Sequence, residues 1–88
     1  MQKLDGNVLA GPLSMVMTGD TSAARGRCAH CGDVAVLAQC VVYAGGGRFV
    51  ARCRRCDEVL LTIIDADGDV RLTMTGVTAL TMPVANDG

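Results

Sequence analysis

The stretch Cys28-Ala29-His30-Cys31-Gly32 is answered, after 21 intervening residues, by Cys53-Arg54-Arg55-Cys56. Two Cys-x-x-Cys pairs at this separation form the four-thiolate pattern of a structural zinc site. Zinc favours a closed tetrahedral shell of sulfur ligands. One tight Cys-x-x-Cys turn offers two corners of that shell, and the second pair brings the other two from a distant point in the chain. The expected ligands are therefore Cys28, Cys31, Cys53 and Cys56, around one structural Zn2+ that ties the ends of a long loop.

Working outward, the size of the chain explains why it needs such a tie. A chain of 88 residues buries only about 60–65% of the surface that its unfolded form exposes, so its core is marginal. Structural zinc contributes on the order of 10–16 kcal/mol of apparent binding free energy near neutral pH. That compares with about 5–15 kcal/mol for the whole stability of a typical domain. The metal-free chain is expected to be unfolded or molten.

Other uses of the cysteines fit less well. Iron accepts the same four ligands and is the alternative ion, but rubredoxin-type sites come with aromatic packing. Here the only aromatic residues are Tyr43 and Phe49. A catalytic zinc needs an open coordination position, which four thiolates close. A thioredoxin-like dithiol calls for a single Cys-x-x-Cys at a helix start within a βαβ pattern. The cysteine count of five is odd, which argues against a fully paired disulfide scaffold. Met1-Gln2-Lys3-Leu4-Asp5-Gly6 has no basic start followed by a long apolar core, and no run approaches the roughly 18 apolar residues of a membrane span. A cytoplasmic location, where thiols stay reduced, is expected. Cys40 lies among valines and reads as a buried core thiol. His30 reads as an exposed residue of the first knuckle, too close to Cys31 for good ligand geometry.

The formal net charge of −1 hides a polarity. Residues 25–55 hold six arginines against the single acid Asp33, whereas residues 57–88 hold six acids against Arg71. Because the metal draws the knuckles together, Arg25, Arg27, Arg52, Arg54 and Arg55 are expected to cluster as a partner-binding surface. Such a patch suits phosphates. It equally suits compensation of the −2 charge of a zinc tetrathiolate or contact with acidic protein surface. Stacking aromatics, which single-strand binders add, are nearly absent.

Along the chain, Asp5-Gly6-Asn7 offers helix-start chemistry. Val8, Leu9, Leu13, Val16 and Met17 recur roughly at helical spacing, interrupted by Gly11-Pro12. This predicts a short N-terminal helix within 6–17 that packs on a sheet. Val34 to Tyr43 reads as one β-rich run. Gly45-Gly46-Gly47 turns it into a hairpin with Arg48-Phe49-Val50-Ala51-Arg52, with Phe49 and Ala51 on one face. Glu58 to Ile64 is the most emphatic strand. Asp67-Gly68 marks a type I′ turn into the alternating segment Val70 to Thr75, and residues 77–82 read as a further extended segment. The fold class is thus a small mainly-β metal-stabilised domain: a zinc ribbon of four or five antiparallel strands with a short N-terminal helix. Its parts are an N-terminal helical segment (1–24), the ribbon (25–82) and a tail (83–88).

Two Cys-x-x-Cys knuckles joined by antiparallel strands resemble a zinc ribbon. Leu4-Asp5-Gly6-Asn7, Ala10-Gly11-Pro12-Leu13, Ala23-Ala24-Arg25-Gly26-Arg27-Cys28 and Cys56 through Leu60-Leu61 resemble a short, uncharacterised actinobacterial family of zinc-ribbon-like proteins. The resemblance covers nearly the whole chain. It implies the fold and the metal but carries no activity.

No Ser/His/Asp arrangement, phosphate loop or carboxylate pair points to an enzyme or to a small-molecule substrate. The expected function is a non-enzymatic zinc-binding adaptor that contacts protein. Several strands are apolar on both faces, so self-association as a homodimer is one expected form of that contact. The alternative is a nucleic-acid, ribosome- or transcription-associated accessory protein that uses the arginine-rich knuckle face.

Overall fold

In the computed structural model, residues 2–17, 19 and 21–83 are described, apart from the side chain of Ser22. Eight strands form two antiparallel sheets. Strands β1 (Gln2–Asp5), β4 (Val41–Gly45), β5 (Arg48–Arg52), β6 (Val59–Ala66) and β7 (Asp69–Thr73) make a five-stranded sheet in the order β1-β4-β5-β6-β7. Strands β2 (Arg25–Cys28), β3 (Val34–Val36) and β8 (Val77–Thr81) make a smaller sheet in the order β3-β2-β8. The fold class expected from sequence holds: a small, mainly-β domain with a short N-terminal helix and its cysteines clustered.

Turn chemistry sets the register of the larger sheet. Gly46 and Gly47 adopt φ of 60° and 78°, and Asp67 and Gly68 adopt 56° and 81°. Positive φ at both central residues is what a tight type I′ hairpin requires. The first turn places Val42 opposite Ala51 and the second Ile63 opposite Leu72; between them, across the β5–β6 pair, Phe49 lies opposite Ile63 and Ala51 opposite Leu61. These residues share one face, and Val42, Ala51, Leu61 and Ile63 are fully buried there.

The strand count exceeds the four or five read from sequence because the extra strands are short. Strand β1 has a single apolar residue, Leu4, and its pairing with β4 leaves no sequence pattern. The run from Val34 to Tyr43 is not one strand. It breaks at a 3-10 turn, Leu37–Gln39, where the chain leaves the small sheet and enters the large one. Leu37 is buried at the break and donates its backbone N–H to the Ala24 carbonyl (2.8 Å). Val34 and Val36 therefore belong to a different sheet from Val42.

The N-terminal helix is also shorter than its pattern. Asp5 Oδ1 accepts from the Asn7 backbone N–H (3.1 Å), but the turn so capped, Gly6–Leu9, is 3-10. The α-helix α1 follows over Ala10–Ser14, with Pro12 inside its first turn, where a missing N–H costs nothing. Leu9 and Leu13 are buried in the same core as the sheet residues, while Val16 is exposed. The segment expected as a tail lies, beyond Pro83, outside the described residues.

Candidate metal centre

The two knuckles have the same backbone wiring. In the first, Cys28 N–H donates to the Asp33 carbonyl (2.9 Å) and Gly32 N–H donates back to the Cys28 carbonyl (2.9 Å). In the second, Cys53 N–H donates to the Glu58 carbonyl (2.8 Å) and Asp57 N–H to the Cys53 carbonyl (3.0 Å). The closing residue has positive φ in both, 81° at Gly32 and 64° at Asp57. Each knuckle grows from a strand end, β2 for the first and the residue after β5 for the second, so the sheets fix where the thiols point.

The four sulfurs of Cys28, Cys31, Cys53 and Cys56 all lie within 4.8 Å of one another. Cys28 Sγ is 3.6 Å from Cys56 Sγ, and Cys31 Sγ is 3.7 Å from Cys53 Sγ. A tetrahedron with metal–sulfur bonds of about 2.3 Å has edges of about 3.8 Å. The cluster thus has the spacing of ligands around one tetrahedral ion, and all five cysteines of the chain are free thiols. Cys28 and Cys53 are buried, Cys56 is half-buried and Cys31 is exposed. The four residues expected as ligands from spacing are brought together.

The electrostatics of the cluster show why it calls for a cation. Burial opposes ionisation of Cys28, but the backbone N–H groups of Cys31 and His30, together with the thiols of Cys56 and Cys31, outweigh it and bring the thiol down to about 7. At Cys56 the Glu58 backbone favours the thiolate, yet burial and the sulfurs of Cys28, Cys53 and Cys31 push it up to about 12. Cys31 is also raised: the Asp33 backbone favours its thiolate, but burial and the Cys53 and Cys28 sulfurs oppose it. Once one sulfur is charged, its neighbours resist. Four thiolates can coexist at neutral pH only with positive charge among them, which is what metal binding supplies as it releases protons. The backbone N–H of Arg55 adds a donor to Cys53 Sγ at 3.4 Å.

Cys40 lines the same small void, about 10 Å³, as Cys28 and Cys53. Its sulfur is outside the cluster, and burial pushes its thiol up to about 11, in keeping with a core thiol. His30 is exposed on the first knuckle, as expected.

The five arginines occupy different surroundings. Arg54 spans the two knuckles: its Nε donates to Asp33 Oδ2 (2.9 Å), one terminal nitrogen to Asp33 Oδ1 (3.3 Å), and the other to Gln39 Oε1 (3.0 Å). The guanidinium holds the Asp33 carboxyl below its ordinary value, and the carboxylate raises Arg54 in return. Arg52 donates to the Asp57 carbonyl (3.0 Å), faces its carboxylate at 3.9 Å and lies 5.8 Å over the Tyr43 ring. Arg25, Arg27 and Arg55 are exposed, and none makes an ion pair among the described residues. The clasp by Arg54 was not foreseen. Its signal was the lone acid in the basic segment, Asp33, directly after the first knuckle.

Gly76 was also missed. The chain between β7 and β8 passes so close to β6 that a Cβ on Gly76 would run into the Val59 carbonyl. From there the Gly76 carbonyl accepts from Ala29 N–H (2.8 Å) and its N–H donates to the Leu60 carbonyl (3.0 Å). This bridge seats the first knuckle against the larger sheet.

Fold and site together define a small β domain built around a four-cysteine cluster suited to a metal ion. The chain belongs to a family of unknown function (DUF6510), whose model matches residues 1–85. No curated protein and no solved structure gives a significant match to it. Among the described residues, no helix is long and apolar enough to cross a membrane.

Proposed function

We propose that the protein is a cytoplasmic zinc-ribbon adaptor: one structural zinc ion fixes a small β scaffold whose surface binds another protein. The carrying observation is the closed set of four sulfurs at tetrahedral spacing. Four protein ligands leave no coordination position for a substrate, so the ion's contribution is to folding. Zinc is preferred to iron because no aromatic shell surrounds the cluster: Tyr43 lies under Arg52 on the larger sheet, and Phe49 pairs with Ile63 there.

A second reading, an accessory protein on nucleic acid, is favoured by the exposed Arg25 and Arg27. Against it, the small sheet that carries them has no aromatic residue on which a base could stack. One experiment tests both readings. The tagged protein, purified without added metal, is assayed for metal and used to capture partners from native lysate with and without nuclease. The adaptor reading expects one zinc per chain, no visible absorption and nuclease-resistant protein capture. Capture abolished by nuclease supports the second reading, and a coloured iron protein overturns the choice of metal.

A further inference from the structure

Resting on the adaptor reading, we propose that the outer face of the small sheet and the open edge of β8 take an extended acidic segment of a partner protein, added as a further strand. Among the described residues the two sheets end in four edge strands, and these are not alike. Strand β1 carries Lys3 and Asp5, β7 carries Asp69 and Arg71, and β3 has only three residues. Charged or very short edges are the usual protection against unwanted pairing. Strand β8, Val77-Thr78-Ala79-Leu80-Thr81, has five residues with neither a charge nor a proline. Among the described residues β8 pairs with β2 alone, so its far side has no strand partner, the template that strand addition uses.

The neighbouring strand says what chemistry would dock there. Arg25 lies opposite Thr81 on one side and Val36 on the other; Arg27 lies opposite Ala79 and Val34. Directly opposed residues share a face, so Arg25, Arg27, Val34, Val36, Ala79 and Thr81 make up the outer surface. Gly26 and Cys28 alternate inward and are buried. Val34 is 57% exposed. Among the described residues, no acid lies on this surface. Between each guanidinium and the β8 edge stands a small side chain, Ala79 or Thr81. A long arginine can lie across these toward a strand added at the edge.

On such a strand, residues opposite Ala79 and Thr81 are two apart and face the arginines. The segment therefore carries acids at alternate positions, separated by residues of strand-forming type. Its backbone supplies affinity and its carboxylates supply the choice. This pattern distinguishes it from a phosphodiester chain, which has no amides to offer the edge.

The test uses the zinc-loaded full chain and an eight-residue capped peptide alternating Glu with Val, followed by NMR and calorimetry. Expected are saturable shifts along β8 and β2, and affinity that falls with salt. Binding should weaken roughly tenfold or more for Arg25→Ala with Arg27→Ala, since hydrogen bonds to charged groups are the stronger kind. Ala79→Glu, an exposed change that sets an acid in the guanidinium path, should weaken it similarly without altering metal content. N-methylation of alternate peptide amides should abolish binding in one phase and spare it in the other. Equal loss in both phases, or retention in both, overturns strand addition. Equal or tighter binding of oligo-dT overturns the choice of partner, as does self-association that the peptide competes away. Should the double-alanine variant still capture a nuclease-resistant protein while the peptide fails to bind, this edge is excluded and the adaptor reading stands. Capture that nuclease abolishes removes both.

Discussion

The two knuckles are copies in their backbone and differ in nearly everything attached to it. Both use the same pair of hydrogen bonds and the same left-handed closing residue, and both send one buried and one more exposed thiol into the cluster. Yet the first closes on a glycine and is held from outside by the Gly76 bridge. The second closes on Asp57, a side chain in a conformation it rarely adopts, and is held by arginines: Arg52 on the Asp57 carbonyl and Arg54 across to Asp33. A metal held by the four sulfurs would dictate the turn, because two sulfurs must reach two corners of one tetrahedron. What supports the turn is left to whatever sheet lies nearby.

If the ion imposes the common part, losing it must affect both knuckles alike. Chelation of the purified protein is expected to collapse the fold, with loss of dispersed amide signals. Cys28→Ser and Cys53→Ser, the two buried ligands, should be equally severe. The scale is set by the metal's contribution, on the order of 10 kcal/mol, against a total of about 5–15 kcal/mol. Circular dichroism and NMR before and after chelation check this. A chain that keeps its native spectrum without metal would show that the sheets alone hold the knuckles.

The closing residues offer a smaller and more selective probe. Gly32→Ala places a Cβ where φ is +81° and is expected to cost about 1–2 kcal/mol. Asp57→Gly relieves the same conformation in the second knuckle. It should be neutral or stabilising by up to about 1 kcal/mol, because glycine's greater freedom in the unfolded chain offsets part of the gain. Opposite signs at equivalent positions, read from thermal midpoints of the zinc form, would confirm that the two turns are one design with two fillings. Two losses of similar size would mean that Asp57 is held by more than its turn.

What could be read from sequence follows the same division. The clustering of the four cysteines was legible because tetrahedral coordination by a short chain uses few spacings, and Cys-x-x-Cys is the shortest of the usual ones. Both hairpin turns were legible for a similar reason: Gly46-Gly47 and Asp67-Gly68 are among the few pairs that accept positive φ twice. The break at Leu37–Gln39 was not legible, because Leu37 is as apolar as the strands on either side. What stops the strand is the Ala24 carbonyl, a tertiary partner. Strand β1 escaped since a tetrapeptide with one apolar residue has no period to detect. The arginines were counted correctly but not apportioned, since which guanidinium finds a carboxylate depends on how the knuckles face each other.

The Arg54 clasp gives the finest test of the comparison, because it joins the two halves without touching a ligand sulfur. Arg54→Ala should leave one ion per chain but weaken its retention, by about tenfold if the clasp behaves as supports of metal ligands commonly do. Competition with a chromophoric chelator measures this. The pH dependence identifies the cause. Asp33 titrates below its ordinary value when folded, so its contribution is present above the unfolded carboxyl value, near 4, and is lost as pH falls through the lower folded value. The gap in thermal midpoint between wild type and Arg54→Ala should therefore be constant from neutral pH down to about 4–5 and narrow only below that. A cadmium-loaded sample, whose softer ion keeps its thiolates into more acid solution, gives access to that range. Asp33→Asn should remove most of the gap at every pH. A gap that ignores both acid and Asp33→Asn would assign the role of Arg54 to its bond with Gln39.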